Sequence, residues 1–139
     1  MEAKEKSFNE IKVGDSAFIE RAIALEDILK FAQISGDYNP LHTEKDYAIK
    51  AGFRGQVVHG MFIASLVSDL VGMELPGKKA LLLKESLEFK KPSYAGDALK
   101  VLGKVTFKSE ATKIIELSIE IYNNKEIVVF GSVSVRVLK

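Results

Sequence analysis

Two periodicities divide the chain. Between about Leu25 and Leu75 apolar residues recur at helical spacing, and from about Ala80 onward they alternate with polar ones. Leu25, Ile28, Leu29, Ala32 and Ile34 form an apolar stripe that predicts a helix over Leu25–Ser35. Gly36 stands where a left-handed residue ends such a helix. Pro40 drives Asn39 into extended geometry, so Asp37-Tyr38-Asn39-Pro40 reads as a sharp exit loop. Thr43 reads as the N-cap of a short helix from Glu44 to about Lys50, with Asp46 as a capping-box variant and Gly52 as its close. A third helix opens near Gly60 and runs to Val71. It is apolar almost all round, which predicts burial on most sides.

The second half predicts strands. Leu99, Val101, Val105 and Phe107 alternate with Lys100, Lys104, Thr106 and Lys108. Ile115, Leu117, Ile119 and Ile121 alternate with Glu116, Ser118 and Glu120. Ile127, Val129, Val133, Val135 and Val137 alternate with Val128, Phe130, Ser132, Ser134 and Arg136. Leu83–Phe89 and Ala17–Arg21 supply further strands, and Ala95-Gly96-Asp97 and Asn123-Asn124 are turn signals. One apolar and one polar face suit an antiparallel sheet with a solvated side. A sheet of this kind wrapped around one buried helix is the α+β class.

Composition narrows the chemistry. With 139 residues and no repeat, low-complexity tract or linker, the chain is expected to form a single domain over residues 1–139. The 20 Lys and Arg nearly balance 19 Asp and Glu, which argues against nucleic acid as a partner. No cysteine is present, so disulfides, thiolate metal sites and a cysteine nucleophile are excluded. The charged start Met1–Lys6 has no apolar stretch behind it, and the longest uncharged run, Gly55–Ser68, is too short to span a bilayer. The expectation is a soluble cytoplasmic protein without membrane contact.

Two constellations could carry chemistry. Asp37 and His42 straddle the proline-set turn, so their side chains can converge and activate one water. Capping of the neighbouring helices explains the same two residues equally well. At the mouth of the apolar helix, Gly60 lets a ligand approach free N–H groups at the positive end of the helix dipole, a place for a carbonyl oxygen gaining charge. A tight turn into a packed helix is the alternative there. His59 reads as a residue fixing the loop. His42 and His59 lack metal-ligand spacing, so no metal is expected. Ser65 and Ser68 lie outside any Gly-x-Ser-x-Gly elbow, and no phosphate loop or dinucleotide fingerprint occurs.

Phe31-Ala32-Gln33-Ile34-Ser35-Gly36-Asp37-Tyr38-Asn39-Pro40-Leu41-His42 resembles the signature segment of the MaoC-like hydratases, with the (R)-specific enoyl-CoA hydratases the nearest subgroup. Phe53–Met61 with Ala64-Ser65-Leu66, and Leu87–Pro92 with Gly96-Asp97, are similar to two further family segments. The resemblance spans the chain from about residue 10 onward. It implies a hot-dog fold and a homodimer or higher homo-oligomer with sites near the subunit interface. It implies Asp37 and His42 as the catalytic pair, Gly60 as donor to the thioester oxygen, Asn39 as support for the loop, and Ser68 as a helix serine near the pair. The implied substrate is an acyl-CoA or an acyl carrier protein thioester, hydrated reversibly from trans-2-enoyl to (R)-3-hydroxyacyl without a cofactor. A hot-dog thioester hydrolase and a non-catalytic acyl-binding subunit are the competing readings.

Overall fold

The alternating half of the chain forms most of one antiparallel sheet. A computed structural model describes residues 1–139 and contains β1 (Ser16–Ala22), β2 (Ala80–Phe89), β3 (Ala98–Ser109), β4 (Ile114–Asn123) and β5 (Glu126–Val137). Their spatial order is β1-β3-β4-β5-β2, every neighbouring pair antiparallel. On the central strand, Ile115, Leu117, Ile119 and Ile121 are buried, as the period-two pattern predicts. Leu99, Val101 and Val105 on one side, and Val129, Val133 and Val135 on the other, complete the apolar inner face.

That face is covered by α4 (Gly60–Asp69), which continues into one π-helical turn over Leu70–Glu74. Phe62, Ile63, Leu66, Val67, Leu70 and Val71 join the same core cluster as the strand residues. Gly103 permits the close approach: a Cβ there would lie 2.5 Å from Leu70 Cδ2 and 3.4 Å from Leu117 Cδ2. The expected α+β architecture, a sheet around a buried helix, is the one observed.

Several local expectations change. Opposite Ile121 and Tyr122 stand Val129 and Ile127, so Val128 is the extra residue of a β-bulge. The bulge breaks the alternation and buries Val128 as well as Val129. The helix expected from residue 25 is α1 (Leu25–Ser35), ended by Gly36 at φ 79°. Only Ile28 and Ala32 are buried on it. Ile34 is 85% exposed, because two residues beyond Ala32 turn it roughly 200° away around the helix. No side chain at Ala24 caps α1, but the Asp27 carboxylate accepts the Ala24 N–H at 2.9 Å.

Thr43 is not an N-cap. It ends a one-turn helix, α2 (Pro40–Thr43), and α3 (Lys45–Lys50) follows with Glu44 before it. Proline at the first helical position starts α2 because its fixed φ suits the helix and its missing N–H would have been unpaired there. No helix is long and apolar enough to cross a membrane.

Strand β2 is a free edge. Leu81, Leu82, Leu83 and Phe89 are exposed along it. Glu85 is half-buried there, with Oε1 shielded and unpartnered, and burial holds its carboxyl above the usual range. A partly buried charge on an edge strand is a common device against open-ended strand pairing.

Gly131, opposite Ile119 on β4 and Leu87 on β2, has no room for a side chain. A Cβ would sit 1.9 Å from the Ser86 carbonyl oxygen. Gly131→Ala is therefore expected to destabilise the fold by about 2 kcal/mol or more in urea unfolding. Gly72→Ala, with nothing within 4 Å of its added methyl, is the matched control.

Candidate active site

The site is assembled where α1 ends and α4 begins. After Gly36 the chain turns through short polar contacts. The Asp37 N–H donates to Ser35 Oγ at 3.1 Å, and Asp37 Oδ1 accepts the Asn39 N–H at 3.1 Å. Asn39 Oδ1 in turn accepts the Leu41 N–H at 2.9 Å, capping α2. These bonds leave the second carboxylate oxygen of Asp37 facing His42, with Oδ2 and Nε2 3.7 Å apart. The Asp37 side chain is half exposed, whereas that of His42 is largely buried.

The His42 ring is oriented from outside its own loop. Its Nδ1 lies 2.7 Å from the Val57 carbonyl oxygen, which can only accept, so Nδ1 carries the hydrogen. In the neutral ring Nε2 is then the nitrogen with the lone pair, and it points at Asp37. The Val57 N–H donates back to the Leu41 carbonyl at 3.1 Å, which ties α2 to the segment entering α4.

That segment delivers His59 and Gly60. His59 is the N-cap residue of α4 and its ring stacks on His42, with centroids 3.8 Å apart and planes 25° from parallel. The Gly60 N–H donates to no atom of the chain and stands at the positive end of the α4 dipole. A Cβ on Gly60 would approach the Phe89 ring to 3.4 Å, so glycine keeps this mouth open. His42, Val57, Gly60, Ile63 and Phe89 line one cleft of about 230 Å³. Larger hollows near Arg54 and near Lys100 contain neither histidine.

Asp37, His42 and His59 each offer a ligand atom within 4.8 Å of the others, a grouping their spacing did not signal. Stacked, nearly parallel rings direct their in-plane lone pairs side by side rather than onto one point. This geometry favours proton transfer over metal coordination.

Residues 9–127 match the family described as MaoC like domain. The chain belongs to that family. This MaoC-like chain is 36% identical over 116 residues to the (R)-specific enoyl-CoA hydratase of Aeromonas caviae, covering 84% of the chain and 87% of that relative. It is 34% identical over 131 residues to the mitochondrial 3-hydroxyacyl-[acyl-carrier-protein] dehydratase of Arabidopsis thaliana, covering 92% and 78%. The unliganded R-hydratase PhaJ1 from Pseudomonas aeruginosa superposes with a TM-score of 0.92 at 30% identity, over 99% of this chain and 88% of that one. The fold is the hot-dog fold of the MaoC-like dehydratases.

Of the residues singled out in the MaoC-like sequence, Asp37, Asn39, His42 and Gly60 gather at this junction. Ser68 does not join them within one chain. It is exposed on α4, eight residues beyond Gly60 and therefore roughly 12 Å along the axis. Three contributors escaped the sequence: the Val57 carbonyl, the Phe89 ring and the stacking of His59. A backbone carbonyl leaves no mark in residue type, and Phe89 reaches the site from a strand far along the chain.

The capping role of Asn39 has a direct consequence. Asn39→Ala removes the acceptor for the Leu41 N–H and is expected to cost about 1 kcal/mol of stability in urea unfolding.

Proposed function

We propose that this chain is an (R)-specific enoyl-thioester hydratase working reversibly as a 3-hydroxyacyl-thioester dehydratase, built as one hot-dog domain over residues 1–139. Membership among hydro-lyases rests on the hydratase and dehydratase relatives. The observation that carries the finer reading is the Asp37–His42 pair at 3.7 Å, with His42 Nε2 facing Asp37 and the free N-terminal amide of Gly60 lining the same cleft as His42.

Two groups at that separation can both contact one water. Asp37 orients the water and His42 Nε2 takes its proton as the oxygen attacks the β-carbon of a trans-2-enoyl thioester. Charge moves onto the carbonyl oxygen, where the Gly60 N–H and the α4 dipole stabilise it. The pair then returns a proton to the α-carbon, so one water has been added and nothing else consumed. Coenzyme A and acyl carrier protein present the same phosphopantetheine arm, and either thioester suits this chemistry. Asn39 supports the loop through its cap on α2.

The protein acts as a homodimer in this reading. Met61, Ser65 and Ser68 share the exposed face of α4 at helical spacing, and Leu81, Leu82 and Leu83 are exposed on the edge strand β2. A second copy would cover these surfaces and place Ser68 at the interface. Sedimentation equilibrium is expected to give the mass of two 15.4-kDa chains, and a stable monomer would contradict it.

Purified protein is expected to hydrate crotonyl-CoA to the (R)-3-hydroxy product without releasing free thiol. Thiol release would instead indicate a hydrolase, and binding without turnover an acyl-binding subunit. Asp37→Ala and His42→Ala should each lower turnover by at least about 10²-fold. Full activity in either folded variant would remove the pair from the mechanism.

A further inference from the structure

His59 is the buried ionisable side chain that the proposed reaction leaves without a task. It is 2% exposed, and its two nitrogens have different surroundings. Nε2 lies 3.0 Å from the Asp37 carbonyl oxygen, an obligatory acceptor, so Nε2 carries the hydrogen. Nδ1 is shielded from solvent and meets no partner. A hydrogen on Nδ1 would be an orphaned buried donor, which folded chains avoid, so Nδ1 holds the lone pair. His42 has the opposite arrangement, with hydrogen on Nδ1 and lone pair on Nε2.

The loop from Gly36 to Asn39 is exposed and short of anchors. Its other hydrogen bonds join residues five apart or fewer. The bond from His59 crosses 22 residues of sequence and is the loop's tie to the core. The same ring lies against His42, and Phe31 packs on it at 4.9 Å.

We propose that His59 is a positioning residue that holds both members of the dyad at once, its Nε2–H clamping the Asp37 main chain while its face backs the His42 ring. The clamp keeps the Asp37 carboxylate in reach, and the stack stops the His42 ring from swinging away from Val57. Together they preserve the separation at which one water can touch both groups. The inference rests on the hydratase reading for the roles of Asp37 and His42, but its geometry can be tested apart from activity.

The chain contains two histidines, so a ¹⁵N-histidine-labelled sample gives two ring systems, assigned with His42→Gln. At pH 8 the wild-type spectrum is expected to show opposite tautomers, Nδ1–H for His42 and Nε2–H for His59. Identical tautomers, or a His59 ring carrying both hydrogens, would overturn the proposal without reference to any substrate.

Two variants separate the clamp from the stack. His59→Phe keeps an aromatic face and loses the donor, whereas His59→Gln keeps a donor and loses the face. A misplacement of about 1 Å can cost about 10²-fold, so each variant is expected to lower kcat at least about tenfold, with KM within about twofold. In His59→Gln the single Nδ1–H signature of His42 should also give way to a tautomer mixture. Folded variants with wild-type kcat and an unchanged His42 signal would overturn the proposal. Should neither variant fold, the wild-type tautomers decide it. Wild-type protein with opposite tautomers but no enoyl-thioester hydration would overturn the hydratase reading and leave the clamp supported.

Discussion

An apolar helix must be covered, and α4 is apolar on most of its circumference. The rest of the molecule follows from how that requirement is met. The sheet supplies one apolar face of Ile, Leu and Val, and Gly103 lets Leu70 settle directly on it. Once α4 is seated, its N-terminus has one position, and with it the free amide of Gly60 and the rings that precede it. Chemistry is therefore located by packing. In the proposed reaction the Gly60 amide needs no reorganisation when charge develops beside it, because the core holds the helix in place.

The polar half of the site is held differently. Asp37 and Asn39 lie on an exposed loop whose local bonds shape the turn but do not fix its place on the body of the protein. Its attachment comes through the segment that opens α4: the Val57 carbonyl on His42, the Val57 N–H on Leu41, and His59 on the Asp37 main chain. The rigid helix start and His42 line one cleft, and the tethered loop holds Asp37 beside His42. The half-exposed carboxylate keeps contact with solvent water, whereas the largely buried imidazole is ordered on two sides.

The exposed apolar surface has a consistent place in this arrangement. Met61 on α4 and Leu81, Leu82 and Leu83 on β2 lie outside the core of a single chain, although their residue types suit burial. The partly buried Glu85 on the same edge marks it as unsuited to unlimited strand addition. The proposed closed pair of subunits would satisfy both tendencies, covering the apolar surface of β2 and leaving β1 as the edge strand of each copy.

Much of the fold was legible in the sequence because periodicity records which face of an element meets the core. The strand half, α1 with its glycine stop, and the apolar helix from Gly60 follow from spacing alone, and the motif around Asp37 and His42 pointed to the family. Where reading failed, a local rule met a non-local cause. Val128 is buried because a bulge shifts its register against β4, and Thr43 closes a proline-started turn instead of opening a helix. Ile34 lies off the stripe by plain helical geometry. The tertiary structure alone decided that His59 lies against His42, that Val57 selects the hydrogen on His42, and that Ser68 stands apart from the pair. The two ring contacts join residues 17 and 15 positions apart. No spacing rule encodes such distances, because they depend on the path that the buried helix imposes on the chain around it.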